Sequence, residues 1–254
     1  MAQKERLEQI RQIMQTERKV SVSELSVQLA VTPETIRRDL EKLEQESFLT
    51  RTHGGAVITQ ADLSEKISFL KRENTNAEAK RTIAGLAADR IPFGASIGCD
   101  ASSTSMELLE KLKNREDLLV LTNSAKAICD MAGSRYGLLS TGGYINRQSY
   151  SLQGGAAKNM VQEYHLEMVF MSCKGISKDG GIFDSHEVEI EMKKALLEQG
   201  NKICLLADHT KFGCVGFSKL ADIKEIDTVI TDQKPSQEWL ELLADSHVEV
   251  VYPL

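Results

Sequence analysis

The chain has 254 residues, 41% of them hydrophobic and 27% charged, with a formal charge of −6. That length suits one ordinary domain plus a small one, or a single large domain. No apolar run is long enough to span a bilayer, and the start, "MAQKERLEQIRQIM", is charged and periodic where a signal peptide would be apolar; a cytoplasmic protein is expected.

The five cysteines are scattered, without a CxxC pair or a histidine at zinc-ligand spacing, so neither a metal nor a cofactor is expected. Cys99, Cys129, Cys173 and Cys204 sit in or beside apolar runs and should be buried; Cys214, among glycines, should be exposed. Residues 1–60 hold nine basic and nine acidic groups, so that part is neutral and the remainder carries the whole negative charge. Any nucleic-acid binding must then rest on a few placed arginines rather than a broad basic field.

Leu7, Ile10, Ile13 and Met14 recur at helical spacing and predict a helix over 3–17. In "SVSELSVQLAV", Ser21 and Glu24 form a capping box ahead of a second helix with Val22, Leu25 and Leu29 on its buried face. A short turn leads to Thr32, which caps a third helix with Pro33 at its first position. There Ile36, Leu40 and Leu43 share one face, Arg38 lies opposite, and Thr35 and Arg37 flank the stripe. Two helices joined by a tight turn, the second with exposed Thr and Arg near its start, make a helix-turn-helix. "FLTRTHGGAV" then alternates up to Gly54-Gly55, predicting a two-stranded hairpin, the wing of a winged helix, with Arg51 and His53 near its tip.

Residues 60–76 read as a linker passing into a helix. Beyond, short apolar runs alternate with helical patterns. Strands are expected at 95–100, 118–122, 137–141, 167–172, 203–208, 227–232 and 248–252, with helices near 78–90, 104–113, 124–133, 156–163, 187–199 and 236–245. That alternation implies an α/β domain with a mostly parallel sheet covered on both faces, its ligand at the carboxyl ends of the strands. The polar clusters fall there. "GCDASSTS" runs from a strand through Asp100, Ser102, Ser103 and Thr104 into a helix, as a phosphate cradle or a mere helix cap would. Thr122 to Ser124, Ser140 to Gly143 and Ala207 to Gly213 follow later strands, and "CKGISKDGGIFDSHEVEIEMKK" supplies Lys174, Asp184, Glu187 and Lys193.

"ERLEQIRQIM", "TIRRDL" and "HGGA" resemble the N-terminal module of the DeoR family of bacterial transcriptional repressors, and about 75–232 resembles that family's effector domain, similar in fold to ribose-5-phosphate isomerase. The resemblance implies a winged helix-turn-helix over 1–58, a linker over 59–76 and a sugar-phosphate-sensing α/β domain over 77–254, in a homo-oligomeric repressor of a carbohydrate catabolism operon. Double-stranded operator DNA would be met by Ser21, Thr32, Thr35, Arg37, Arg38, Lys42, Arg51 and His53.

A phosphorylated sugar would be held by Asp100, Ser102, Ser103, Thr104, Thr122, Asn123, Gly142, Gly143, Lys174, Asp184, Glu187 and Lys211, the phosphate resting on Ser102 to Thr104. "MSCKGI" stands where the isomerases carry proton-transferring acids, with Lys174 in their place, so no enzyme activity is expected; the rival reading is a sugar-phosphate isomerase with an accessory DNA-binding domain. Where most members have a glycine in the first loop, this chain has Asp100-Ala101-Ser102-Ser103-Thr104. "DASST", "SCKGI" and Asp184-Ser185 look like members that govern fucose catabolism, implying a deoxyketose 1-phosphate, with a rhamnose-pathway phosphate as the alternative.

Overall fold

A computed structural model describes residues 3–17, 19–45, 49–52, 54–57 and 69–253. The chain forms two compact units, Met1–Lys71 and Arg72–Leu254.

The first unit contains α1 (Gln3–Glu17), β1 (Lys19–Ser21), α2 (Val22–Gln28), α3 (Pro33–Gln45), β2 (Thr50–Thr52) and β3 (Gly55–Val57). Its core is the set the periodicity picks out, among them Leu7, Ile10, Met14, Leu25, Ile36, Leu40 and Leu43. The capping box is present, with the Ser21 hydroxyl accepting from the Glu24 amide at 3.1 Å and the Glu24 carboxylate accepting from the Ser21 amide at 3.0 Å. The turn between α2 and α3 is closed by Ala30 in the left-handed region, φ 52°.

The wing differs from the expected two-stranded hairpin. It is three-stranded and antiparallel, in the order β1-β3-β2. β1 is only three residues long between two helices, too short for alternation to show, and Val20 pins it to the core. Gly54 takes φ +92° at the hairpin turn, and a Cβ on Gly55 would stand 2.1 Å from the Val20 carbonyl oxygen, so strand β1 can lie against the hairpin only if residue 55 is glycine.

After α4 (Phe69–Asn74) comes the α/β unit: α5 (Ala77–Ala88), β4 (Ser96–Cys99), α6 (Ser103–Leu112), β5 (Leu119–Thr122), α7 (Ala125–Asp130), β6 (Gly137–Ser140), β7 (Tyr144–Asn146), β8 (Ser151–Gln153), α8 (Gly155–Gln162), β9 (Leu166–Ser172), β10 (Gly175–Ile176), β11 (Gly181–Asp184), α9 (Glu187–Gln199), β12 (Gly200–Leu206), β13 (Ser218–Asp222), β14 (Thr228–Ile230), α10 (Gln237–Asp245) and β15 (Glu249–Val251). The seven expected strands form one sheet in the order β15-β14-β12-β9-β4-β5-β6, all pairs parallel. β9 and β12 are apolar along most of their length because helices cover both faces.

The strand order places the site. From β4 the chain proceeds outward through β5 and β6; from β9 it proceeds the other way through β12, β14 and β15. Crossovers of one hand then leave opposite faces, and a crevice opens beyond the carboxyl ends of β4 and β9. Two accessory pieces flank this edge, the hairpin β7-β8 and the small antiparallel sheet β10-β11-β13. Their strands are two to five residues long, and none was expected from the sequence. One burial expectation also fails: Cys129 is exposed along with Cys214, because α7 has six residues and buries only Ala127.

Candidate functional sites: an exposed arginine pair and a pocket at the sheet crossover

In α3 the six residues of "TIRRDL" divide by direction. Ile36 and Leu40 enter the core, and Asp39, fully buried, receives Arg6 of α1 through Nε at 2.5 Å and Nη2 at 3.2 Å. That fork fixes the roll of α3 on α1 and leaves Arg37 and Arg38 facing out. Both lie near the Glu34 carboxylate, Arg37 Nη1 at 3.2 Å and Arg38 Nε at 3.6 Å, with side chains 55% and 76% exposed. Such solvated pairs are worth little, so either arginine can exchange Glu34 for a DNA phosphate or base edge at small cost. The Thr32 hydroxyl caps the Thr35 amide at 3.3 Å and lies 2.9 Å from the Thr35 hydroxyl. Lys42 is exposed on the same helix; Arg51 is exposed in β2, where its amide donates to Glu44 at 2.9 Å. Ser21 is occupied by its cap, and His53 lies outside the described residues.

The second site is a pocket at the crossover, lined by Arg72, Asp100, Ala101, Ser102, Asn123, Ser151, Glu189 and Lys193. Asp100 ends β4 and organises the floor. Its Oδ1 accepts from the Ser102 amide at 3.2 Å and the Ser105 hydroxyl at 2.5 Å; its Oδ2 accepts from the Ser172 amide of β9 at 3.2 Å. Ser102 caps α6, its hydroxyl accepting from the Ser105 amide at 3.1 Å. The first-turn amides of Ser103 and Thr104 have no acceptor within the helix, so this end of α6 favours negative charge.

Lys193 of α9 is buried between the two strand ends. Its Nζ donates to the Ser172 carbonyl at 2.6 Å, pairs with Asp184, and lies 3.1 Å from Asp100 Oδ2. Burial opposes the ammonium, but the charges of Asp184, Asp100 and Glu189 outweigh it and hold the Lys193 pKa above its ordinary value. Burial likewise pushes the Asp184 carboxyl up, and the Lys193 charge and hydrogen bond more than reverse that, leaving it below the usual range. Asp184 is thus a committed ion-pair partner rather than a poised proton acceptor. Asn123 is also buried, its Nδ2 donating to the Leu152 carbonyl at 3.3 Å while Oδ1 has no partner among the described residues. A buried acceptor left open on a pocket wall is costly unless a ligand donor fills it.

Of the twelve residues assigned to effector contact, the pocket wall brings together Asp100, Ser102 and Asn123, with Asp184 directly behind through Lys193. Ser103, Thr104 and Thr122 are buried next to it in chain, the Thr122 hydroxyl accepting from the Ser124 amide at 3.1 Å. Gly142 and Gly143, with φ of 63° and 102°, are exposed ahead of the β7-β8 hairpin. Lys174 and Glu187 are also exposed, and Lys211 stands in the loop after β12; none of these five lines the pocket.

Sequence reasoning places Lys193 in the charged cluster at the ligand end of the sheet without an effector contact, and gives no role to Arg72, Ser151 and Glu189. Ser151 belongs to an unforeseen hairpin, while Glu189 and Lys193 carry a faint signal: charged residues four apart on an otherwise apolar helix face, both buried. Among the described residues there is no His, Cys, Asp and Glu group that could hold a metal, and no helix long and apolar enough to cross a membrane.

Comparison with known proteins matches residues 6–61 to the DeoR-like helix-turn-helix domain and residues 75–233 to the DeoR C-terminal sensor domain. The chain is 39% identical over 247 residues to the uncharacterized HTH-type transcriptional regulator YulB of Bacillus subtilis, covering 97% of this chain and 95% of that one. It is 36% identical over 217 residues to the L-fucose operon activator of Haemophilus influenzae, covering 85% and 86%. Among solved structures, ribose 5-phosphate isomerase A of Methanocaldococcus jannaschii aligns with 54% of this chain and 55% of its own, at 16% identity and a TM-score of 0.42. With a helix-turn-helix unit and a sensor unit matched in order, this chain belongs to the DeoR family of DNA-binding transcriptional regulators, not of enzymes.

Proposed function

We propose that this regulator acts in the cytoplasm as a homo-oligomeric repressor of a carbohydrate catabolism operon, and that a phosphorylated sugar in the crossover pocket changes its operator occupancy. The observation that carries the sensor half is the pocket itself. An open buried acceptor, Asn123 Oδ1, lies beside the Ser102-capped start of α6, as a molecule with both hydroxyl donors and an anionic group requires. The phosphate would meet the amides of Ser102, Ser103 and Thr104, with Lys211 approaching from its loop. Thr122, Gly142, Gly143, Lys174, Asp184 and Glu187 would shape the surrounding loops. Thr35, Arg37, Arg38, Lys42, Arg51 and His53 would meet the DNA, and Ser21 and Thr32 would hold the helix starts beside it. A single short recognition helix buries little surface, which favours a dimer or larger on a two-part operator.

The relation to an L-fucose operon activator supports, of the two candidate sources, a deoxyketose 1-phosphate from fucose over one from rhamnose as the effector. A thermal-shift screen of phosphorylated sugars tests the sensor half, because a molecule that binds only the native state raises its stability by mass action. Operator binding at matched salt tests the other half: affinity for the upstream DNA no tighter than for random DNA would overturn the reading.

A further inference from the structure

We infer that Glu189, in the first turn of α9, is the specificity-determining residue of the crossover pocket, its carboxylate accepting hydroxyl hydrogens from the sugar end of the effector. This rests on the sensor reading above and adds which residue selects the sugar and which way round the effector lies.

Glu189 lines the pocket and is only 9% exposed. It is the third residue of α9, the position from which a glutamate in a capping box reaches back to the N-cap amide. Glu24 of α2 does this, accepting from the Ser21 amide at 3.0 Å. Glu189 does not, since no such box closes at His186. One turn on, the Lys193 ammonium bonds Asp184 and the Ser172 carbonyl and lies 3.1 Å from Asp100. Among the described residues no hydrogen bond or ion pair reaches the Glu189 carboxylate. Asp100 and Asp184, by contrast, are filled. Asp100 accepts from the Ser102 and Ser172 amides and the Ser105 hydroxyl, and Asp184 accepts from the Ser185 amide and Lys193.

A buried carboxylate with open lone pairs is costly unless donors fill them. Asn123 Oδ1, likewise open, sets another acceptor on the same wall. Open acceptors on one wall require a ligand that offers several O–H donors, which a polyol does and an anion does not. The phosphate must then lie away from Glu189, because like charges repel, and the amides at the Ser102-capped start of α6 favour it there. The effector is thus held with its phosphate toward α6 and its hydroxyls toward α9. A site built to bond a hydroxyl rejects the analogue that lacks it strongly, because its buried acceptors are left unpaired.

The test uses the full-length chain and calorimetry, the weaker ligand being read by competition. The probes are L-fuculose 1-phosphate, which carries free hydroxyls beyond its ketone, and hydroxyacetone phosphate, which keeps the ketone and phosphate and has none. Wild type should bind the first about a hundredfold more tightly. Glu189→Gln keeps the size and turns one acceptor into a donor. It should weaken L-fuculose 1-phosphate by about tenfold or more and leave hydroxyacetone phosphate within about twofold of wild type. Glu189→Asp, with the same acceptors on a shorter arm, should fall between. A purely structural role would move both probes equally, and a carboxylate facing the phosphate would let both bind more tightly once neutralised. Either result, an unchanged variant, or equal wild-type affinity for the two probes overturns the inference and leaves the sensor reading intact. A wild-type protein that binds neither phosphate overturns the inference together with the effector class.

Discussion

The Lys193 ammonium stands 3.1 Å from Asp100 and is bonded to Asp184, so one buried cation joins the end of β4 to the end of β11 across the crossover. Ser172 at the end of β9 donates its amide to Asp100 and offers its carbonyl to Lys193, closing the network. The pocket floor is a single ion-paired assembly rather than a set of independent ligands.

Removing the cation should therefore destabilise the sensor. Lys193→Met leaves two carboxylates buried without their partner and should lower stability by about 3–5 kcal/mol. The pH dependence has two arms. Asp184 titrates below its unfolded value near 3.8, so its contribution is present above that pH and is lost as pH falls. Lys193 titrates above its unfolded value near 10.5, so its contribution is present below that pH and is lost as pH rises beyond it. Urea unfolding from pH 3 to 11 should show the wild-type advantage over Lys193→Met broad through neutrality and narrowing at both ends.

Two neighbours in α3 should separate folding from recognition. Asp39→Ala strips the partner from buried Arg6 and should cost about 3 kcal/mol, abolishing operator binding through loss of the helix-turn-helix unit. Arg38→Ala, at an exposed position, should leave the melt within about 0.5 kcal/mol and still weaken operator binding strongly. Circular-dichroism melts beside operator titrations distinguish the two effects. Equal melts for the two variants would show that Arg6–Asp39 does not hold the unit together.

Ala30 occupies the left-handed region at φ 52°, which costs a residue with a Cβ about 1 kcal/mol. Ala30→Gly should relieve that strain and raise stability by up to about 1 kcal/mol, read as a higher denaturation midpoint at unchanged slope.

Lys80 gives a distinct signature above neutrality. Burial draws its ammonium down to about 8, against the opposing charge of Asp208, while the unfolded chain keeps an ordinary lysine near 10.5. Between those values the unfolded state binds more protons, so this group's contribution to stability rises with pH. The stability difference between wild type and Lys80→Met should accordingly shift in favour of wild type from pH 8 to 10.5; a flat difference would mean that Lys80 titrates normally.

Much of this molecule was legible in the sequence because its large elements repeat a simple period. All seven sheet strands are short apolar runs after helical patterns, and "TIRRDL" separates core from surface by helical spacing alone. What escaped has a physical reason in each case. β1 and β10, of three and two residues, are too short to show alternation. Lys193 is one member of a charged cluster in the sequence, and only the tertiary fold brings Asp100, from 93 positions earlier in the chain, to its side. Arg72 stands where the linker passes into a helix, and nothing local marks it as lining a pocket with Asn123 and Ser102. Asp39, similarly, counted only as an acid in a neutral segment until Arg6 was found opposite it.

The central claim is that a phosphorylated sugar in the Asp100–Ser102–Asn123 pocket sets operator occupancy, and Asn123 offers its most direct test because its open oxygen faces the pocket while Nδ2 holds only the Leu152 carbonyl behind it. Operator anisotropy should be followed while phosphorylated sugars are titrated into wild type and Asn123→Leu side by side. At least one sugar phosphate should shift the wild-type operator affinity, and Asn123→Leu should need about tenfold more of it for the same shift. A wild-type operator affinity that no phosphorylated sugar changes, or an Asn123→Leu response equal to wild type, would contradict the claim.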